Sequence, residues 1–140
     1  MNKLGPIIVI EDDKDDQQLL ADVFKELAYQ NEIKFFELGA DALEYLNQTD
    51  EVPFIILSDI NLPQLTGFEL RDRIIENEKL RMKCIPYLFF TTAASQSAII
   101  NAYSKSAQGF FIKPFSYIDI KRMIKKIVEY WQECSSPNYI

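Results

Sequence analysis

The chain has 140 residues, 48% hydrophobic and 26% charged, which is enough for one domain with a buried core. Its 15 basic and 21 acidic residues leave a net charge of −6, which argues against nucleic-acid binding through a basic surface. The chain has no histidine, which excludes a histidine member of a catalytic triad, a histidine zinc ligand and a phosphorylated histidine within it. Two cysteines are too few for a disulfide framework.

Membrane and export segments are not apparent in the sequence. No apolar run approaches the ~20 residues that span a bilayer. The N-terminal residues 1–6 lack the long apolar region and cleavage site of a signal peptide. The expected location is therefore the cytoplasm, without membrane contact.

The first half of the chain alternates between short apolar runs and helical periodicity. Residues 6–10 form a run typical of a buried strand, and apolar residues at helical spacing follow over residues 19–27. Asp15 or Asp16 is the expected N-cap of that helix, and helix capping or solvation is the expected role of both. A second, more polar strand is predicted at Ile33–Phe36, with a short helix over residues 41–46.

The second half repeats this alternation. A third apolar strand ends just before Asp59, and a helix is predicted over residues 68–77, with the charged run after it as a solvated end and loop. Two more strands and two more helices are predicted over these segments: strands at 86–92 and 108–114, a weak helix at 95–104 and a strong one at 120–131. Residues 134–140 are expected to be a C-terminal tail, frayed over residues 135–138.

Five strands alternating with five helices predict a parallel sheet covered on both faces by right-handed crossovers. The length suits the α/β fold with a doubly wound, flavodoxin-like (βα)5 sheet and strand order 2-1-3-4-5. In such a sheet the carboxyl ends of several strands face one crevice, where ligands bind.

Polar residues that could do chemistry follow four of the predicted strands. They are Glu11 and Asp12 after the first, Asp59 after the third, Thr91 in the fourth and Lys113 after the fifth. Each has an ordinary explanation by itself: a solvated turn, a helix cap, a good strand former or a loop lysine. The informative feature is that all of them fall at the same edge of one sheet.

This combination indicates magnesium-assisted phosphoryl chemistry. Carboxylates held close together repel one another, and an all-oxygen ligand set without histidine or thiolate favours Mg²⁺. Lys113 adds a positive charge beside Asp59, which can itself be a nucleophile that forms an acyl phosphate. Thr91 could donate its hydroxyl to a phosphoryl oxygen.

The motif set resembles the receiver domain of bacterial two-component response regulators, over residues 5–133. The matching segments are Ile10-Glu11-Asp12-Asp13, Leu57-Ser58-Asp59-Ile60-Asn61-Leu62-Pro63, Gly67, Thr91 and Lys113-Pro114-Phe115. The joint set is specific, although each piece alone is weak. Only nine residues follow Trp131, so we expect a stand-alone receiver without an output domain.

The resemblance implies a role for each matching position. Asp59 would accept a phosphoryl group from the phosphohistidine of a histidine kinase or histidine phosphotransfer protein. Asp12 and Asp59 would bind Mg²⁺ directly, Glu11 through water, and Asn61 through its backbone carbonyl. The family also has a cis peptide before the proline that follows its lysine, so a cis Lys113–Pro114 bond is predicted.

The resemblance further implies a pair of switch residues, Thr91 and Phe110. In the family the threonine moves toward the phosphoryl group and an aromatic side chain on the fifth strand, often tyrosine, turns inward. Phe110 can fill that space but has no hydroxyl, and its simpler interpretation is a core aromatic. Thr92 stands where the family usually has a small residue.

Two other classes of protein remain as alternatives. A magnesium-dependent phosphatase with an aspartyl nucleophile usually needs a second aspartate two residues later, where this chain has Asn61. A flavodoxin-like binding module would need a phosphate-binding loop after the first strand, and residues 11–13 are acidic instead. We therefore predict a signalling switch that catalyses only its own phosphorylation and dephosphorylation. Whether it then binds a downstream protein or passes the phosphoryl group on is open at this stage.

Overall fold

The protein is one parallel sheet with helices on both faces, in a computed structural model that describes residues 1–137. The elements in chain order are β1 (Ile7–Ile10), α1 (Lys14–Leu27), β2 (Ile33–Phe36), α2 (Gly39–Gln48), β3 (Ile55–Ser58), α3 (Gly67–Glu76), α4 (Glu78–Arg81), β4 (Tyr87–Thr91), α5 (Gln96–Ser104), β5 (Gly109–Ile112) and α6 (Tyr117–Glu133). The strand order is β2-β1-β3-β4-β5, so the predicted doubly wound topology is confirmed. No helix among these residues is long and apolar enough to cross a membrane.

Two hydrophobic clusters hold the helices against the sheet. Along β1, Ile7 and Val9 face the cluster that packs on α1 and α6, whereas Ile8 and Ile10 face the cluster on the other side. Side chains alternate between the two faces of a strand, so a strand buried on both faces is mostly apolar, and Ser58 at the end of β3 is the one polar residue in β1 and β3. All four residues of β1 and of β3 are buried, and each fully buried aliphatic side chain contributes about 1.5–3 kcal/mol.

Helix α1 begins one residue after Asp13, and the predicted N-cap at Asp15 or Asp16 is wrong. The Asp13 carboxylate accepts hydrogen bonds from the backbone N–H groups of Asp15 and Asp16, at 2.8 and 3.0 Å. Asp15 and Asp16 therefore lie in the first turn, where their charges suit the positive end of the helix dipole. Asp13 is the cap, which leaves the carboxylates of the other two free for other contacts.

The charged run after α3 is not simply a solvated loop. It contains the short helix α4, whose Leu80 is only 1% exposed and packs in the cluster on the α3 face. Asn77 caps this turn by accepting a hydrogen bond from the Leu80 N–H at 3.2 Å. Two apolar residues two positions apart in a charged segment are too weak a periodic signal to predict a helix from sequence.

The segment after α6 is also more ordered than expected as far as the structure describes it. Ser136 is 5% exposed and its hydroxyl donates to the backbone carbonyl of Met1. Cys134 packs against the cluster on the α6 side. Fraying is therefore wrong at Ser136, while the part of the predicted tail at residues 138–140 lies outside the described residues.

The predicted cis Lys113–Pro114 bond is wrong, since residues 1–137 contain no cis peptide bond. The trans form is favoured by about 0.5–1 kcal/mol before proline. From this trans linkage the Lys113 amino group already lies 3.0 Å from the Asp59 carboxylate. The geometry that the cis bond was expected to supply is therefore reached without it.

Gly67, the first residue of α3, should not tolerate a side chain. A Cβ atom there would lie 2.1 Å from the backbone carbonyl oxygen of Asp59. We expect Gly67→Ala to lower the free energy of unfolding by about 1–3 kcal/mol, the usual cost of overpacking, measured by urea denaturation. Gly39→Ala is the matched control at the start of α2, because its nearest contact would be a milder 3.1 Å. Equal effects of the two substitutions would contradict this interpretation.

Candidate active site at the carboxyl edge of the sheet

Four parallel strands deliver the candidate residues to one edge of the sheet. Glu11 follows β1, Asp59 follows β3, Thr91 ends β4 and Lys113 follows β5. The ladder hydrogen bonds continue to these positions. The Asp59 N–H donates to the Ile10 carbonyl at 3.0 Å, and the Lys113 N–H donates to the Thr91 carbonyl at 2.9 Å. The backbone at each position is therefore held by the sheet itself.

Both oxygens of the Asp59 carboxylate have hydrogen-bond donors. Oδ1 accepts from the Ile60 backbone N–H at 2.6 Å and from the Thr91 hydroxyl at 2.7 Å. Oδ2 accepts from Lys113 Nζ at 3.0 Å. The Asp59 side chain is 11% exposed, so it is oriented by protein groups yet still reachable from solvent.

The Lys113 ammonium group contacts three carboxylates. Its Nζ atom lies 3.0 Å from Glu11 Oε2, from Asp16 Oδ2 and from Asp59 Oδ2. Sequence reasoning assigned Asp16 to capping or solvation and so missed this contact. The available signal was its position, in the first turn of a helix that starts directly beyond the end of β1.

Burial and charge move the pKa values of these groups in opposite directions. Burial, followed by the hydrogen bond with Asp59, raises the pKa of Glu11 to about 9 against the opposing influence of Lys113. Burial acts to raise the pKa of Asp59 as well, but hydrogen bonds from Glu11 and Thr91 and the charge of Lys113 hold it below its ordinary value. At neutral pH the Glu11–Asp59 pair therefore keeps one proton, which belongs to the pair.

Lys113 remains a cation in this setting. Burial acts to lower the pKa of its ammonium group, but the charges of Asp59 and Glu11 and the hydrogen bond with Asp16 outweigh burial and raise it. A fixed positive charge thus lies beside the Asp59 carboxylate at any physiological pH.

Three carboxylates are close enough to share a cation. One oxygen atom from each of Glu11, Asp12 and Asp59 lies within 4.8 Å of the others. Glu11 is buried, Asp59 is half-buried and Asp12 is exposed, so the group opens toward solvent on the Asp12 side. A set of oxygen ligands without nitrogen or sulfur fits a hard cation such as Mg²⁺. Asn61 is exposed in the loop after Asp59, and ligation by its backbone carbonyl stays a prediction.

The two expected switch residues lie in different environments. Thr91 is fully buried, and its hydroxyl accepts from the Ala93 N–H at 3.2 Å while it donates to Asp59. Phe110 is half-buried, with its ring centroid 6.2 Å from that of Phe89 in the cluster on the α3 face. Its position agrees with a core aromatic, and a switching role stays a prediction. Thr92 is exposed.

The raised pKa of Glu11 predicts how stability depends on pH. Between the unfolded value near 4.5 and the folded value of about 9, the folded state binds the extra proton. With a metal chelator present, the free energy of unfolding should therefore fall by about 1 kcal/mol per pH unit as pH rises through this window. Glu11→Gln cannot titrate and should flatten the profile measured by urea denaturation. The absence of histidine keeps this window clear of imidazole titration. Parallel profiles for the two proteins would refute the assignment.

Comparison with known proteins agrees with the fold and identifies the family. The profile of the response regulator receiver domain matches residues 7–125. The probable methanogenesis regulatory protein FilR2 of Methanothrix harundinacea is 33% identical over 129 residues, which cover 89% of this chain and 82% of that protein.

Solved structures give the same result. The phosphorylated cyanobacterial phytochrome response regulator RcpA superposes with a TM-score of 0.85 at 25% identity, covering 94% of this chain and 97% of RcpA. The Mn²⁺-bound form of response regulator Rcp1 superposes with a TM-score of 0.80 at 28% identity and the same coverage. The chain belongs to the response regulator receiver domain family.

Proposed function

We propose that this receiver domain is a phosphoacceptor switch in which Asp59 takes a phosphoryl group from the phosphohistidine of a histidine kinase or a histidine phosphotransfer protein. The observation that carries the proposal is the convergence on one carboxylate of the Lys113 ammonium at 3.0 Å and the Thr91 hydroxyl at 2.7 Å. Asp59 lies beside the fixed charge of Lys113 and is half-buried, so that solvent can reach it. Glu11, the other member of the acidic group in contact with Lys113, is buried.

The transfer is a simple displacement at phosphorus. An oxygen of Asp59 forms a bond to phosphorus while the phosphorus–nitrogen bond of the donor breaks, and the electron pair stays on the imidazole nitrogen. The Ile60 N–H and the Thr91 hydroxyl orient the carboxylate through Oδ1. Lys113 supplies positive charge beside the phosphoryl oxygens, since its raised pKa keeps it protonated. Hydrolysis restores the unmodified state: water attacks phosphorus, the bond from phosphorus to the Asp59 oxygen breaks, the carboxylate keeps the electron pair and inorganic phosphate leaves.

Magnesium is the proposed cofactor of this site. Glu11, Asp12 and Asp59 would hold it, with the Asn61 carbonyl as a further ligand. When bound, the ion would neutralise charge on the phosphoryl oxygens. Support comes from the all-oxygen composition of the group and from the related Rcp1, which has a Mn²⁺-bound form. The ion would also take over the role of the proton that the Glu11–Asp59 pair keeps without it.

The signal would leave the site through Thr91. Its hydroxyl donates a hydrogen bond to Asp59 Oδ1 in the unmodified state. Once Asp59 is phosphorylated, we expect the hydroxyl to donate to a phosphoryl oxygen instead. Phe110, one strand away, is the aromatic we expect to repack with it. The changed surface would bind a downstream protein, or the phosphoryl group would pass to another histidine. Transfer from phosphorylated protein to a histidine phosphotransfer domain separates these two outcomes.

Phosphorylation of Asp59 can be measured directly. With acetyl phosphate and Mg²⁺, we expect the intact mass of the wild-type protein to rise by one phosphoryl group. Asp59→Asn should take up none, and the exposed Asp50→Asn should behave as wild type. Folded wild-type protein that gains no mass at any Mg²⁺ concentration would refute the proposal. Sustained hydrolysis of p-nitrophenyl phosphate would instead favour a phosphatase.

Removing the charge of Lys113 should slow the transfer without removing the metal ligands. We expect Lys113→Gln to lower the phosphorylation rate by about 100-fold, the usual loss when one electrostatic donor is removed. Mg²⁺ binding, measured by calorimetry, should persist because the three carboxylates remain. A rate within a factor of about two of wild type would contradict the role of the ammonium group.

A further inference from the structure

Asp16 is the member of the charge cluster to which the phosphoacceptor scheme gives no role. A lysine ammonium group has three N–H donors. The structure places one carboxylate oxygen 3.0 Å from Lys113 Nζ for each of them, on Glu11, Asp16 and Asp59. All donors are therefore engaged while Asp59 is unmodified. A phosphoryl oxygen can reach Lys113 only if one of these contacts is given up.

The three contacts differ in how easily they break. The side chains of Glu11 and Asp59 are 3% and 11% exposed, so losing Lys113 would leave a buried polar group without its partner. The Asp16 side chain is 44% exposed and can return to water. Asp16 also lies outside the group of carboxylates that could share a cation. The contact between Asp16 and Lys113 is therefore the one that a phosphoryl oxygen can replace at the lowest cost in free energy.

We infer that Asp16 occupies the N–H donor of Lys113 to which a phosphoryl oxygen binds once Asp59 is modified. The inference rests on the proposed phosphorylation of Asp59. With acetyl phosphate as donor, the bond between Asp59 and phosphorus forms as the bond from phosphorus to the acetate oxygen breaks, and acetate leaves. The hydrogen bond from Lys113 to Asp16 is replaced by one to the phosphoryl group, and no proton is transferred in that exchange.

Two consequences follow from this exchange. Asp16 competes with the incoming phosphoryl group for Lys113, and its negative charge repels an anionic donor. Both effects act against phosphorylation, so removing the charge should accelerate it. Because the pair is partly exposed, the change should be modest, about two- to fivefold.

The chain contains a matched control in the next residue. Asp15 lies in the same first turn of α1 and is exposed. Asp15→Asn and Asp16→Asn change the net charge equally, but only Asp16 contacts Lys113. Asp16→Glu keeps the charge and a carboxylate within reach of the lysine. Urea denaturation of each variant establishes that it folds, which an exposed position in the first turn favours.

The test compares the initial rate of phosphorylation by acetyl phosphate with Mg²⁺, read by intact mass, in wild type and these three variants. Calorimetric binding of beryllofluoride, a phosphoryl analogue, gives an equilibrium readout that does not depend on turnover. We expect Asp16→Asn to raise the rate and the beryllofluoride affinity about two- to fivefold, with Asp15→Asn and Asp16→Glu close to wild type.

Each other outcome counts against the inference. Equal rates for Asp16→Asn and Asp15→Asn would show that only overall charge matters, and a slower Asp16→Asn would show that Asp16 assists the transfer. Either result would overturn the role of Asp16 while leaving phosphorylation of Asp59 intact. Wild-type protein that takes up no phosphoryl group would overturn both proposals.

Discussion

The charge arrangement of this site depends on one buried cation, the ammonium group of Lys113. It is 8% exposed and lies 3.0 Å from three carboxylates, of which Glu11 is 3% exposed and Asp59 11%. A buried carboxylate pair without that cation would be strongly destabilised by desolvation and mutual repulsion. The positive charge of Lys113 offsets part of this cost, and the proton that the Glu11–Asp59 pair keeps offsets a further part. The site thus combines a lowered pKa at Asp59 with a raised pKa at Glu11, within one cluster.

The parallel sheet explains how these groups meet although Glu11 and Lys113 are 102 positions apart in the chain. The order β2-β1-β3-β4-β5 puts β1 and β3 side by side, so the acids that follow them are neighbours. Strands β4 and β5 then bring Thr91 and Lys113 from the other side of Asp59. Gly67 allows α3 to start directly against the Asp59 backbone, since any Cβ there would meet its carbonyl. The sheet is therefore the scaffold that aims each group.

The local sequence pattern predicted a residue's environment correctly where that environment depends on the residue's own strand. The apolar runs at residues 7–10 of β1 and 55–57 of β3 are buried on both faces, as their composition indicated, and the acids that follow these strands lie at the predicted edge. It failed where a distant group decides the outcome. Asp16 looked like a solvated helix residue because its partner, Lys113, is remote in sequence. Leu80 looked like part of a loop because the cluster that buries it comes from other elements.

The strand order, five of the six helices, the parallel topology and the identity of the acids, threonine and lysine at the strand ends follow from the sequence, which did not predict α4. Alternation and apolar runs are local patterns, and parallel strands must bring their carboxyl ends to one edge. Only the tertiary structure decided the distances: which oxygen of Asp59 faces Thr91, that Asp16 completes the contacts of Lys113, and that the Lys113–Pro114 bond is trans. Hydrogen bonds and pKa values depend on separations of a few ångströms across the fold, and spacing along the chain does not encode these.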